Sequence, residues 1–133
     1  TLLASSAASD VYKRQIYELT QAASRRNFAL FSEILSDMLG KGSDEYAVLA
    51  ALVSHYRTLA EASGITGSDA EVAKTLGVKP YAVQKNREAA ARLGKARVQE
   101  LYLALYGLSS GAKSGLYGKT GALFAAIAKI FFS

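Results

Sequence analysis

Three stretches of this 133-residue chain carry residue types and spacings that could do chemistry. The most specific runs from Ser68 to Lys85. Ala73, Gly77 and Val83 stand where a helix-turn-helix places a small residue, a turn glycine and an apolar anchor. The small residue lets two helices approach closely, and glycine tolerates the left-handed backbone of the turn. In a DNA reader, Tyr81, Gln84 and Lys85 would sit on the second helix as groove contacts. Two helices that merely pack across a glycine turn need the same pattern, so a structural unit is the competing reading.

The second stretch sets Lys113-Ser114-Gly115 beside Gly118-Lys119-Thr120. A phosphate loop needs Gly, four residues and then Gly-Lys-Ser/Thr, between a strand and a helix. The last three residues are present, but Lys113 holds the place of the first glycine and no strand pattern precedes it. Nucleotide binding is therefore not expected.

The third set is the ionisable residues. His55 is the single histidine and there is no cysteine, which excludes disulfides and thiolate metal sites. No Glu-x-x-His pair exists for a dimetal bundle site. Asp37, Asp44, Glu45, Asp69 and Glu71 fall mostly at expected helix ends, where carboxylates cap and complement the dipole. His55 has no Ser or Asp partner nearby in sequence, so a surface or satisfied histidine is expected. No nucleophile, base and oxyanion donor converge. The chain is not expected to be an enzyme, and no catalytic, cofactor or metal residue is assigned.

The elements that must position these residues are helical. Apolar residues recur at three- and four-residue steps from Ile16 through Leu19, Ala22 and Ala23. Asn27 reads as an N-cap, followed by the stripe Phe28, Phe31, Ile34, Leu35, Met38 and Leu39 and a stop at Gly40 and Gly42. Ser43 is placed to cap a third helix, whose stripe runs from Val48 to Leu59 and stops at Gly64. Ser68 and Glu71 form a capping-box pair, and Pro80 suits a first helical turn. A helix to about Leu93 is followed by a long one with Val98, Leu101, Tyr102, Leu105 and Leu108 inward. Gly107 and Gly111 are expected to weaken its end. Leu123, Phe124, Ile127, Ile130 and Phe131 give the last helix its apolar side. No segment alternates with period two, so the fold expected is all-α: one bundle of about six or seven helices containing a helix-turn-helix-like unit.

Residues 1–15 lack a clear apolar period and are read as a linker, a cloning scar or an assembly artefact; the domain proper is 16–133. Half of the residues are hydrophobic, which argues for a packed core. No stretch reaches the ~18 to 20 apolar residues of a membrane span, and Thr1 to Asp10 lacks the basic start of a signal peptide. The net charge of +5 suits an acidic partner such as nucleic acid without requiring one. The basic residues are spread along the chain, which is the pattern of a solvated surface.

Taken together, these segments resemble a known family. Ile16-Tyr17-Glu18-Leu19-Thr20-Gln21-Ala22, then Arg25-Arg26-Asn27, Glu33-Ile34-Leu35 and Met38-Leu39, resemble the opening helices of the third domain of the delta subunit of bacterial DNA polymerase III. Leu49 to Leu52 with His55-Tyr56-Arg57 and Leu59 resembles the next helix. Ala73 to Val78 with Pro80, Val83 and Lys85 is similar to its helix-turn-helix-like unit, and Leu101 to Leu108 with Lys113-Ser114-Gly115 to its closing motif. Ser109 and Ser110 depart from it, since an acidic residue is common before the Lys-Ser-Gly, and the glycine-rich run from Gly107 to Gly121 is unusual.

The resemblance implies a cytoplasmic structural part of the clamp loader, which places the sliding clamp on primed DNA during replication. C-terminal helical domains of five subunits form a collar, so the partners implied are delta prime and the gamma or tau subunits. Contact with the clamp would run only through an N-terminal region that this chain lacks, and DNA contact would be weak or indirect. The partner interface is expected on the last two helices, at Val98, Leu101, Tyr102, Leu105, Tyr106, Phe124 and Phe131. The rival reading is a small helix-turn-helix transcription regulator, which explains the charge and the Ser68–Lys85 spacing but not the ordered similarity outside it.

Overall fold

Asn27 separates two helices by the mechanism its residue type suggests. Its side-chain oxygen accepts from the Leu30 amide at 3.2 Å, satisfying one of the amides that a helix start leaves free. Arg26 just before it takes a φ of 57° as the chain leaves the preceding helix. The computed structural model describes the backbone of residues 2–133 and the side chains of residues 7–133. Within them run α1 (Leu2–Ser24), α2 (Phe28–Gly40), α3 (Glu45–Gly64), α4 (Asp69–Leu76), α5 (Pro80–Leu93), α6 (Lys95–Lys113) and α7 (Lys119–Phe132). The described residues contain no strand. The all-α bundle read from the periodicity is the fold observed.

Four local features depart from the sequence reading. Helix α1 begins at Leu2 and runs through the lead-in, as its alanine content permits. Thr1 and the side chains of residues 2–6 lie outside the described residues. The end of the lead-in touches the body: Tyr12 packs on the core, and Gln15 Nε2 donates to Asp37 Oδ2 at 2.6 Å. Helix α3 is capped by Asp44 rather than Ser43, with Asp44 Oδ2 accepting from the Ala47 amide at 3.0 Å. Asp44 is also held from outside by Lys119 at 2.7 Å. Gly107 and Gly111 do not end α6, which continues to Lys113. Gly111 is buried there, and a Cβ at that position would overlap the ring of Tyr117. That glycine admits an aromatic side chain from the following loop.

The helix-turn-helix unit closes as its residues predict. Ser68 Oγ accepts from the Glu71 amide at 3.2 Å. Gly77 takes φ 71° and ψ 32°, which lets the Val78 amide reach back to the Ala73 carbonyl at 3.0 Å. Pro80 opens α5. Val72, Ala73 and Val83 form a small apolar cluster of their own, flanked by Ile65 and Leu76.

The main core centres on α3, which packs against α1, α5, α6 and α7. Its buried residues Val48, Leu49, Leu52, Val53, Tyr56 and Leu59 make a broad inward face. Helix α7 returns Ala122, Leu123, Ala126, Ile127, Ile130 and Phe131 to the same core. Tyr56 is an imperfect fit. Its hydroxyl is buried without a hydrogen-bond partner among the described residues, and burial pushes the phenol pKa up. Tyr56→Phe removes a polar atom without breaking a bond. It is expected to leave stability unchanged or raise it by up to about 1 kcal/mol in urea unfolding; a loss of more than about 1 kcal/mol would show that the hydroxyl is satisfied.

Candidate functional site

Helix α7 is fixed at both ends by charged groups from elsewhere in the chain. At its start, Lys119 Nζ meets Asp44 Oδ1 at 2.7 Å and Thr120 Oγ1 donates to Glu45 Oε1 at 2.9 Å. Lys119 holds the Asp44 carboxyl below the usual carboxylate range, chiefly through that hydrogen bond. At its end, Arg26 donates to the carbonyls of Ile130 and Phe131 at 3.2 and 3.1 Å. Arg97 donates to the carbonyls of Lys129 and Ser133, both at 2.9 Å. Two guanidinium groups thus cover carbonyls that a helix end leaves free and complement its partial negative charge. The Lys119-Thr120 pair that resembles a phosphate loop is engaged with the start of α3. Ser114 is the C-cap of α6 and Gly115 has a φ of 83° in the turn that follows.

The α7 ends frame an aromatic cluster. Phe28 stands edge-on to Phe131 and Phe132 at centroid distances of 5.2 and 5.0 Å, and Phe31 to Phe131 at 5.0 Å. Phe131 and Phe31 lie inside. Phe28, Phe124 and Phe132 face out, Phe124 at 55% and Phe132 at 69% exposure, along an apolar groove between α2 and α7.

A second groove is polar. Both α1 and α5 pack against α3. Tyr17 and Gln21 stand four residues apart on α1 and Arg25 follows its last residue, while Tyr81, Lys85 and Arg92 follow one face of α5; all six line the groove between these helices. His55 of α3 is part of the same lining. Its Nε2 lies 3.3 Å from Ser24 Oγ. Ser24 is only 3% exposed, and its hydroxyl donates to the Thr20 carbonyl at 3.1 Å. The serine thus serves the imidazole as an acceptor, and its buried hydroxyl is not presented as a nucleophile. His55 is a satisfied histidine.

Burial pushes the His55 imidazole down to about 4. A folded pKa below the unfolded value means that the folded state binds fewer protons. Its contribution to stability is complete above about pH 6.5 and is lost as pH falls from there towards 4. With the ring partly exposed, the loss is about 1–2 kcal/mol after discounting for solvent. Urea unfolding at pH 7 and pH 4.5 should therefore show a smaller acid loss for His55→Gln than for the parent chain. Equal losses would remove His55 from the account of acid sensitivity.

The residues singled out in the sequence fall into three environments. Tyr81, Gln84 and Lys85 are exposed on α5. Gln84 Nε2 donates to Glu88 Oε1 at 3.3 Å, and Lys85 Nζ lies 3.8 Å from Glu88 and 5.4 Å from the Tyr81 ring centre. Val98, Leu101 and Leu105 are buried in the chain's own core, as is Phe131. Val98, Leu101 and Leu105 are covered by α3 and α7 on the inner face of α6, and Phe131 of α7 is covered by Phe28 and Phe31 of α2, so these four present no surface to a partner. Tyr102 is partly buried and accepts a hydrogen bond from Arg57 Nε at 3.3 Å. Tyr106 and Phe124 are exposed, and so is Leu103, at 65%, which the inward-facing pattern passed over.

Sequence reading also missed Arg87. Its guanidinium donates to the carbonyls of Ala62, Ile65 and Gly67 at 2.9, 2.8 and 2.9 Å and meets Asp69 Oδ1 at 2.8 Å. It joins α5 to the α3–α4 connection. No local signal marks it, since its partners are backbone groups set by the fold.

The sequence profile of the DNA polymerase III delta subunit, C-terminal domain, matches residues 13–130. The chain belongs to this family. The delta C-terminal fold is also found in a solved structure. The DNA clamp loader delta protein of Bacillus subtilis superposes with a TM-score of 0.75 at 17% identity, over 90% of this chain and 36% of that one. The chain thus spans about a third of the length of that clamp-loader protein. No curated relative matches the sequence. Among the described residues of this delta C-terminal domain, no helix is long and apolar enough to cross a membrane.

Proposed function

We propose that the chain holds a delta subunit in a clamp loader by packing against the C-terminal helical domains of delta prime and the gamma or tau subunits. The observation that carries this reading is the family match over residues 13–130. The outward aromatic surface of α2 and α7 supports it, because an exposed apolar patch on a protein with a filled core usually marks an interface. Tyr106 and Leu103 on the outer side of α6 offer a second, smaller apolar surface. The domain's contribution is cohesion within a complex that places the sliding clamp on primed DNA, in the cytoplasm. Chemistry and clamp contact belong to other parts of that assembly.

The deciding experiment mixes this chain with purified C-terminal domains of the partner subunits and follows mass by light scattering. A defined complex at tens of micromolar is expected. Separate species with all partners present would overturn the reading.

A further inference from the structure

The groove between α3 and α6 is cationic at both ends, and no carboxylate lines it among the described residues. The two helices run antiparallel. Arg57 Nε of α3 donates to the Tyr102 hydroxyl of α6 at 3.3 Å. Beyond the other end of α6, Lys119 and Thr120 reach Asp44 and Glu45 where α3 starts. Arg57 therefore marks one end of the groove and Lys113 the other. Arg57 is held there, since its guanidinium also stands over the Tyr102 ring, 5.6 Å from the centre. Both cations are exposed, and neither forms an ion pair among the described residues. Glu61, one turn beyond Arg57 on α3, lies outside the lining and attracts it only at a distance. Between the two ends the lining is neutral. Ser54, Ser109 and Ser110 present hydroxyls that form no hydrogen bond within the chain among the described residues. A helical serine or threonine can bond back to a carbonyl one turn earlier, as Thr58 and Ser63 of α3 do. Ala50 and Val53 add small apolar surface beside them.

The spacing gives the groove a length. From Tyr102, where Arg57 is held, to Lys113 it runs about 16 Å, at ~1.5 Å per residue. That distance is about three turns of helix, so carboxylates at positions i and i+11 of a helix share a face and span it. We propose that this groove docks an acidic helix of a partner protein, with one carboxylate against Arg57, another against Lys113, and small or polar residues between them. The Arg57 fork suits a carboxylate's two oxygens, and Lys113 serves as a point charge. Small side chains and free hydroxyls along the middle admit a helix lying in the groove. A polyphosphate carries charge along its whole length and would leave most of it over neutral serine and alanine. A compact anion meets one cation at a time. Two isolated carboxylates match two isolated cations, which is why the acidic helix is the better fit. The inference stands apart from the assembly reading, because a peptide replaces the partner in its test.

The test uses the chain by itself and a fluorescein-labelled, helix-stapled peptide of fourteen residues, rich in alanine and glutamine, with glutamates at its positions 2 and 13. Anisotropy reads binding. Saturable binding at 50 mM salt is expected on the order of a hundred micromolar, weakening as salt screens the exposed charges. Arg57→Ala with Lys113→Ala should lower affinity at least about fivefold. Arg25→Ala with Arg92→Ala, in the groove between α1 and α5, should leave it unchanged. Arg57→Glu with Lys113→Glu should reject the glutamate peptide and bind its lysine counterpart. Should a variant at Arg57 and Lys113 lose the parent's circular dichroism, Arg57→Gln with Lys113→Gln takes its place, with the same loss expected. Absence of binding at 500 micromolar chain overturns the proposal, as does unchanged affinity in the Arg57 and Lys113 variants or a loss confined to the Arg25 and Arg92 pair. Equal binding by a peptide with its glutamates at positions 6 and 9 would remove the fit to two separated cations. Displacement by tripolyphosphate below the peptide's own Kd would make the groove a site for phosphate chains. Either result equally overturns the acidic helix.

Discussion

Arg87→Ala is expected to destabilise the chain by about 3 kcal/mol, the largest effect of any exposed or half-buried side chain in the fold. This guanidinium donates four hydrogen bonds, to the carbonyl of Ala62 in the last turn of α3, to the carbonyls of Ile65 and Gly67 in the α3–α4 connection and to Asp69. A hydrogen bond to a charged group contributes about 1.5–3 kcal/mol. The full sum is not realised, because the side chain keeps 27% exposure and water can replace part of what is lost. The unit that depends on it has little else. The helix-turn-helix cluster is built on Val72, Ala73 and Val83 with two flanking residues, too small a core to stand without an anchor to α3.

Two companion substitutions separate the contributions. Asp69→Asn removes only the ion pair, whose carboxylate side chain is 42% exposed, and should cost less than about 1 kcal/mol. Arg87→Lys keeps the charge but cannot span three carbonyls and a carboxylate, so it should fall near the alanine value. Urea unfolding followed by circular dichroism checks all three. An alanine variant within about 0.5 kcal/mol of the parent would show that the carbonyls find water as readily as they found arginine.

Arg87 also illustrates why some of this structure was legible in the sequence and some was not. Asn27, Ser68, Gly77 and Pro80 act on backbone within a few residues of themselves, and each sits where its type predicts. The apolar stripes placed the inward faces of α2, α3 and α7 for the same reason, apart from Phe28 and Phe124, which face out, since a period of 3.6 is a local property. The long-range anchors were silent. Arg26 reaches carbonyls 104 and 105 positions away, and Arg97 reaches across 32 and 36. Nothing in their neighbourhood distinguishes them from solvated arginines. The same limit applies to the groove of Arg25, Lys85 and Arg92, whose charges look dispersed along the chain and are gathered only by the packing of α1 and α5 on α3. Ser43 and Asp44 show the limit at its finest. Both can cap a helix, and a lysine 75 residues later holds the second.

Periodicity also leaves open what covers an apolar face. Val98, Leu101 and Leu105 of α6 share the sequence character of an interface stripe, yet α3 and α7 of the same chain bury them. A charge placed there would unfold the domain and report nothing about partners. Tyr106 directly follows Leu105 on the same helix and is exposed. Covering within the chain thus removes the inner face of α6 from the candidate contact surfaces and leaves the outer faces of α2, α6 and α7 as candidates.

Phe124→Asp should abolish assembly with partner C-terminal domains while leaving the isolated chain folded. Phe124 stands out from α7 at 55% exposure, beside Phe132 and Phe28. Covering about 100 Å² of ring contributes about 2.5 kcal/mol, close to a hundredfold in Kd. A carboxylate in its place adds a desolvation cost, so the loss should exceed a hundredfold. The neighbouring core residues Leu123 and Ile127 keep their contacts, and the helix retains its ends on Asp44, Arg26 and Arg97. Circular dichroism and the unfolding midpoint of the variant should therefore match the parent. Leu103→Asp with Tyr106→Asp probes the outer face of α6 in the same way. Light scattering with partner domains at tens of micromolar reads both. Loss for Phe124→Asp alone places the partner on α2 and α7, whereas loss only for the α6 pair moves it to the outer face of α6. Full assembly by both variants would leave neither surface as the contact and would undo this assignment of the interface.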